Sequence, residues 1–176
     1  MQQLNRFNIE PIDMVVCNFY PFEEVISKNN ANYEEVIENI DIGGPSMVRA
    51  AAKNHESVAV ITNPGQYRSV LDSMSQNKGK LSTETRFQLA EAAFGMVSAY
   101  DIAIYNGIQR FSEKSGYSDK FFISSTKFED TKYGENPDQK AAVYTIDEYT
   151  GMLDWEQIYG DNRSFNNHLD IGHAFE

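Results

Sequence analysis

The residues best suited to chemistry fall in one short stretch, Glu38 to His55, which reads Glu-Asn-Ile-Asp-Ile-Gly-Gly-Pro-Ser-Met-Val-Arg-Ala-Ala-Ala-Lys-Asn-His. Gly43 and Gly44 allow backbone conformations closed to other residues, and Pro45 suits the first turn of a helix, where its missing N–H is not needed. A helix is therefore expected to start here. Its first N–H groups have no partner within the helix and, with the helix dipole, favour an anion or a developing oxyanion. Asp41 precedes the turn, while Arg49 and Lys53, four residues apart, share one helix face. An acid, a cluster of amides and two cations are thus expected to converge on one small substrate. Read for structure alone, the same stretch is a strand-to-helix corner with Ala50, Ala51 and Ala52 packed close to a sheet. Tyr20, just before Pro21, is a further candidate acid or base, with a packed amphipathic ring as the plainer reading.

These groups need a frame. Ile12 to Phe19 reads as a strand buried on both faces, because Met14, Val15, Val16 and Cys17 are consecutive and apolar and Pro21 stops the pairing. Such strands belong to parallel sheets, whose ligands sit beyond the carboxyl ends of the strands, an edge that here carries Asn18, Tyr20 and Pro21. Phe22 to Lys28 and Tyr33 to Asn39 read as helices joined by Asn29, Asn30 and Asn32. Ser57 to Thr62 repeats the buried-strand pattern and is closed by Asn63-Pro64-Gly65; Gln66 to Ser75 is the next helix. The alternation gives an α/β unit with a parallel sheet. Ser82 then caps a long helix, Thr83 to Ser112, with Glu84 in its first turn. Its apolar positions are Phe87, Ala90, Phe94, Val97, Ile104, Ile108 and Phe111, broken by Asp101, which is expected as a hydrogen-bonded structural acid in the seam. Unbroken, it would span roughly 45 Å, so a bend near Gly95 or Gly107, or packing on a second subunit, is expected.

From Lys114 the composition changes. Lys120 to Ser124 reads as a short strand, Ser125 to Asp130 as polar connection, Lys140 to Ile146 as a strand, and a helix starts after Asn166-Asn167 and runs to Glu176. Residues 126–176 hold 11 acids and 4 bases and a single tryptophan, Trp155, with too little apolar periodicity for a core of their own. They read as the beginning of a second domain.

The formal charge of −11 and pI near 4.7 argue against non-specific binding to nucleic acid or an acidic membrane surface. The single cysteine, Cys17, lies in an apolar run and excludes an intrachain disulfide, which points to the cytoplasm. No basic-then-apolar leader opens the sequence, and no stretch approaches the ~20 apolar residues that span a bilayer. His55, His168 and His173 are scattered, so no metal is expected. Walker, Gly-x-Gly-x-x-Gly and nucleophile-elbow motifs are missing.

Three blocks, in order, carry a resemblance: Val-Val-Cys-Asn-Phe-Tyr-Pro-Phe (15–22), the stretch 38–55 above, and Lys-Tyr-Gly-Glu-Asn-Pro-Asp-Gln-Lys-Ala-Ala (132–142). Together they resemble the bifunctional purine-biosynthesis family of AICAR transformylase and IMP cyclohydrolase, the PurH family. The resemblance implies that residues 1–125 are the C-terminal part of a cyclohydrolase domain, a three-layer α/β/α, methylglyoxal synthase-like fold with a parallel sheet and a long helix. Residues 126–176 would begin an α+β, cytidine deaminase-like transformylase domain. It implies formyl transfer from the cosubstrate formyl-tetrahydrofolate to AICAR, then closure of formyl-AICAR to IMP by attack of the carboxamide nitrogen on the formamide carbon. Tyr20, Asp41 and Lys53 match the family's catalytic tyrosine, aspartate and lysine, with Asn18 and the amides of Ile42, Gly43 and Gly44 against the substrate. Lys132 and Tyr133 align with an arginine and tyrosine that hold AICAR, and Asp138 stands where the family has histidine. Lysine lacks the two-pronged geometry of arginine, and aspartate does not change charge near neutral pH. The family's initial phosphate-binding segment with its second catalytic lysine, its later Lys-His pair and most of its folate site find no match here, which implies an inactive chain on its own. Purine nucleotides as ligands, a homodimer, and neither nucleic acid, membrane nor metal complete the expectation. The alternative is a non-catalytic nucleotide-binding or dimerisation module derived from that enzyme.

Overall fold

The computed structural model describes residues 6–28, 30–112, 118–146 and 157–175. It divides into two units, Met1–Tyr117 and Ser118–Glu176. Trp155 and most of the linker-like stretch after Lys114 lie outside the described residues.

In the first unit, strand β1 (Met14–Val16) is followed by helices α1 (Phe22–Ile26), α2 (Tyr33–Glu38) and α3 (Gly43–Lys53), then by strand β2 (Ala59–Ile61). A 3-10 turn, Pro64–Gln66, leads into α4 (Tyr67–Gln76), and α5 (Thr83–Gln109) closes the unit. The strands pair in parallel, Met14 opposite Ala59, Val15 opposite Val60 and Val16 opposite Ile61, as the β, α, β alternation requires. β2 is buried throughout. One of its faces, with Val58 and Val60, packs on Val48, Ala51 and Ala52 of α3 and on Ala90, Ala93 and Val97 of α5. The other, Ala59 and Ile61, meets Val70 of α4 and Leu89 of α5.

β1 does not match the expected strand buried on both faces. It is three residues long, Met14 and Val15 are half-buried, and Val16 is 53% exposed. The physical reason lies in the ladder. The N–H of Cys17 donates to the carbonyl of Ile61 and the N–H of Ala59 to that of Asp13, so odd-numbered residues of β1 face β2. The backbone groups of Met14 and Val16 therefore point to the opposite edge. Among the described residues no further strand pairs there.

α5 is a single helix of 27 residues, about 40 Å at 1.5 Å per residue. Ser82 caps it, its hydroxyl accepting from the N–H of Thr85 at 3.0 Å. Neither glycine breaks it. Gly107 instead admits a close neighbour, since a Cβ there would lie 3.1 Å from Ile26 and 3.2 Å from the Phe22 ring. The seam also differs from expectation: Leu89, Ala90, Ala93, Val97, Tyr100 and Gly107 are buried, while Asp101 is exposed. Phe87 and Phe94 lie on the outside, 51% and 41% exposed. Tyr100, one residue before the expected acid, fills the seam, because a tyrosine can bury its ring there and keep a hydrogen bond for its hydroxyl.

In the second unit, β3 (Thr126–Asp130) and β4 (Ala142–Thr145) form an antiparallel pair with a register shift between Lys127 and Glu129. β3 falls on the stretch expected to be polar connection, and Lys120 to Ser124 is not a strand. Helix α6 (Phe165–Phe175) starts before Asn166-Asn167 and takes both into its first turn, where the expected start lay after them. Ser164 sets that start: its hydroxyl accepts from the N–H of Asn167, while the Asn167 side-chain carbonyl accepts from the N–H of Ser164 at 3.0 Å. This reciprocal pair is a capping box with asparagine in place of the usual glutamate.

Candidate functional site

Asp41 is the half-buried acid at the mouth of α3. Its Oδ1 accepts from the N–H of Gly44 at 2.8 Å, so the carboxylate itself fills one of the anion-seeking positions of the helix start. The geometry demands glycine at that point. A Cβ on Gly44 would lie 2.5 Å from Oδ2 and 3.0 Å from Cγ of Asp41. Gly43, by contrast, opens onto free space, with nothing within 4 Å of a Cβ. Both glycines are ordinary helical residues, not members of a special turn; the positive-φ glycines among the described residues are Gly79 and Gly160. Close approach, not an unusual backbone angle, is what Gly44 supplies. The expected cluster of free amides is accordingly reduced. Gly44 is engaged by Asp41, Pro45 has no N–H, and the exposed Ile42–Gly43 segment remains as the open part of the helix start.

The carboxyl end of β1 meets this corner. The Cys17 thiol is held above its ordinary range, first by burial and then by the negative charge of Asp41. Asn18 follows, its side-chain amide donating to the Tyr67 hydroxyl at 3.4 Å from the first turn of α4. Tyr20 projects beyond the strand and is 59% exposed, with its carbonyl accepting from the N–H of Phe22 at 2.8 Å. Tyr100 approaches from α5, and its hydroxyl accepts the backbone N–H of Asp41 at 2.8 Å. Burial is the main reason its phenol titrates above the ordinary value. Asn18, Asp41 and the Ile42–Gly44 segment thus gather at one end of the strands, where parallel sheets place ligands. Tyr67 and Tyr100 were not singled out from the sequence. For Tyr100 a signal was present, since Val97, Tyr100 and Ile104 continue the three-and-four step of a buried helix face.

The two cations lie further along α3. α3 is regular from Gly43 to Lys53, so Lys53 stands about 15 Å from the end that Asp41 caps, at 1.5 Å per residue. Arg49 lies about a turn closer. Both are exposed. Along the helix axis the acid and the amides therefore mark the start of α3, and the two cations lie further along it. His55, just past α3, packs its ring edge-on against Phe87 at 5.5 Å between ring centres, a structural role.

In the second unit, the block 132–142 forms the connection between β3 and β4. Lys132 Nζ pairs with Asp161 at 2.9 Å, which raises the lysine above its ordinary value and lowers the aspartate, by hydrogen bond first and charge second. The backbone of Lys132 and Tyr133 is tied to the segment before α6: Lys132 N–H donates to the Arg163 carbonyl at 2.8 Å and Phe165 N–H to that of Tyr133 at 3.1 Å. Asp138 is exposed. Gly134 is buried where its N–H donates to the Gln139 carbonyl at 2.9 Å. Beneath the loop, Glu129 Oε1 takes both Arg163 at 3.0 Å and His168 Nε2 at 3.1 Å. No group of three or more metal-ligating side chains occurs among the described residues, and none of the helices described is long and apolar enough to cross a membrane.

Comparison with known proteins sets these features in context. The bifunctional purine biosynthesis protein PurH of Chlorobium phaeobacteroides (strain BS1) is 47% identical over 169 residues, covering 93% of this chain and 32% of the relative. PurH of Thermoanaerobacter sp. (strain X514) is 45% identical over 178 residues, covering all of this chain and 34% of the relative. The chain thus spans about a third of the length of the curated relatives it matches. Among solved structures, the crystal structure of ForH aligns with a TM-score of 0.56 and 32% identity, over 65% of this chain and 58% of that one. The family model described as AICARFT/IMPCHase bienzyme matches residues 51–176, and the chain belongs to that family.

Proposed function

We propose that this chain carries part of a purine-nucleotide site in which formyl-AICAR closes to IMP, and part of a second site that holds AICAR for formyl transfer from formyl-tetrahydrofolate. The observation that carries the reading is the half-buried Asp41 carboxylate, oriented through Oδ1 by the Gly44 amide at the carboxyl end of a parallel strand pair. With Oδ1 engaged, Oδ2 is the oxygen offered to a carboxamide N–H. As that nitrogen forms its bond to the formamide carbon, its proton passes to Asp41 and the formyl oxygen becomes an alkoxide. Protonated, that oxygen leaves as water together with the hydrogen of the adjoining formamide nitrogen, and the ring is closed. The open Ile42–Gly43 segment of the helix start favours the developing negative charge. Tyr20 and Lys53 are assigned to the same site through the family match. With Lys53 a helix length from Asp41, it serves a part of the substrate other than the one Asp41 meets.

In the second site Tyr133 and Lys132 are assigned to AICAR, and Lys132 can take up an anion only by exchanging Asp161 for it. The remaining parts of both sites belong to the two-thirds of the relatives' length that this chain does not match, and the reading places the assembled enzyme in the cytoplasm as a homodimer. The test is Asp41→Asn in an assembly that supplies those parts. Ring closure, followed by the absorbance of IMP formation, is expected to fall by roughly 100-fold or more, with the thermal midpoint little changed. Activity within about threefold of the parent would remove Asp41 from the chemistry, since general acid–base catalysis contributes far more than that.

A further inference from the structure

Two loops carry the candidate groups of the first unit, 18–21 after β1 and 39–42 before α3, and one buried side chain touches both. Tyr100 is 8% exposed. Its ring packs on Phe19 at 5.1 Å between ring centres, tilted by 57°, and on Phe22 at 6.0 Å, edge-on at 71°. Phe19 and Phe22 bracket Tyr20 and Pro21, so the ring holds the turn that presents Tyr20. The hydroxyl of the same residue accepts the N–H of Asp41 at 2.8 Å. That amide lies before the first turn of α3, where no helical carbonyl can serve it. Around this contact Phe22 and Val36 are fully buried, and Ile40 and Ile104 pack against them.

We propose that Tyr100 is the positioning residue of the Asp41 site: its ring fixes the 19–22 turn and its hydroxyl fixes the Asp41 backbone, so that Tyr20 and Asp41 keep one spacing set by α5. This rests on the reading of Asp41 given above and extends it to a residue that touches no substrate. The chain of contacts is short. Asp41 presents its carboxylate through a bond to Gly44, three residues on, and its own amide is held by Tyr100, so both ends of the acid's local backbone are fixed. Releasing the amide frees the residue to rotate while leaving its carboxylate chemically intact. α5 reaches the strands through Leu89, Ala90, Ala93 and Val97, so it carries the position of the sheet to the site.

The decisive variant is Tyr100→Phe, which keeps the ring on Phe19 and Phe22 and removes only the acceptor for Asp41 N–H. Amide hydrogen exchange, read residue by residue on the folded chain, is expected to speed up about tenfold at Asp41, the scale of one lost hydrogen bond. The amides of Val60 and Ala93 are expected to stay as they are. Val97→Ala serves as a control, because it opens the neighbouring core around β2, apart from the Phe22–Val36–Tyr100 cluster, and is expected to spread its effect over β2 and α5. If Asp41 exchange is unchanged in Tyr100→Phe, or if its pattern matches the control, the proposal is overturned. Should Tyr100→Phe fail to fold, Phe19→Leu takes its place: loss of the ring contact is expected to shift the Asp41 amide resonance through Tyr100, and an unmoved resonance refutes the coupling. In the completed enzyme, Tyr100→Phe is expected to lower kcat about tenfold, again on the scale of one hydrogen bond, with KM within a factor of about two. Wild-type kcat and KM alongside altered exchange refute a positioning role. Full turnover by Asp41→Asn refutes the assignment of the acid instead, and the exchange measurement then stands on its own.

Discussion

Replacing Gly44 by alanine separates two effects that sequence rules alone would merge. On helix propensity, alanine is favoured over glycine by about 0.8–1.0 kcal/mol in a helix interior, less in a first turn. Gly43→Ala should collect that gain unopposed, because its Cβ would enter open space. Gly44→Ala puts a Cβ 2.5 Å from Oδ2 and 3.1 Å from Oδ1 of Asp41, well inside contact distance. The Asp41 side chain must swing away, and the hydrogen bond from Gly44 N–H goes with it. A lost capping bond of this kind costs about 1 kcal/mol. The two variants, one residue apart and identical in chemistry, should therefore differ by about 1–2 kcal/mol, with Gly43→Ala the more stable. For a unit of this size that is roughly 3–12 °C in thermal midpoint. Scanning calorimetry on both variants measures it. If Gly44→Ala melts at or above Gly43→Ala, Asp41 does not hold the helix start and the account of the site fails.

Three further outcomes follow from the same geometry. The Tyr100 phenol titrates above its ordinary value of 10.0 because it is buried; the folded state therefore keeps the proton longer than the unfolded state. Its share of stability is complete below pH 10 and is lost as pH rises through the raised value, so denaturant titrations should show Tyr100→Phe with a flatter decline in that range and the wild type a steeper one. Cys17 is held above its ordinary 9.0 by burial and then by Asp41, so its alkylation by iodoacetamide at pH 8 should be slower than that of a free thiol. Asp41→Asn should quicken it, and equal rates would place the acid away from the thiol. Ser164→Ala should destabilise α6 by about 1 kcal/mol through loss of the cap to Asn167, and an unchanged amide-exchange profile across α6 would contradict that.

What was legible in the sequence was the part decided locally. The run Val58–Ile61 declares a strand covered on both faces, and the structure buries all of β2. Ser82 and the apolar steps after it declare a long capped helix, although the exposed Phe87 and Phe94 drew the inferred seam off the true one and put Asp101 where Tyr100 belongs. What was not legible depends on partners far along the chain. Phe121, Phe122 and Ile123 look more like a strand than Thr126–Asp130 does, but β4 pairs with the latter. The apolar run of β1 says that cover is wanted and not whether these 176 residues provide it. At the site, the i to i+3 spacing of Asp41 and Gly44 already contains the cap; reading the amides as free overlooked that a nearby carboxylate is the first anion to claim them.

The parallel pairing has a consequence in time. Met14 meets Ala59 across 44 residues of intervening chain, and Val60 is enclosed only when Ala90, Ala93 and Val97 arrive. Nothing in β1, α1 or α2 offers an earlier resting place, since hairpins and short helices of this length are marginal by themselves. Closure of the loop and burial of β2 must therefore come together, late, once α5 has been synthesised. Until Val97 has been synthesised, Val60 of β2 lacks part of the cover that encloses it.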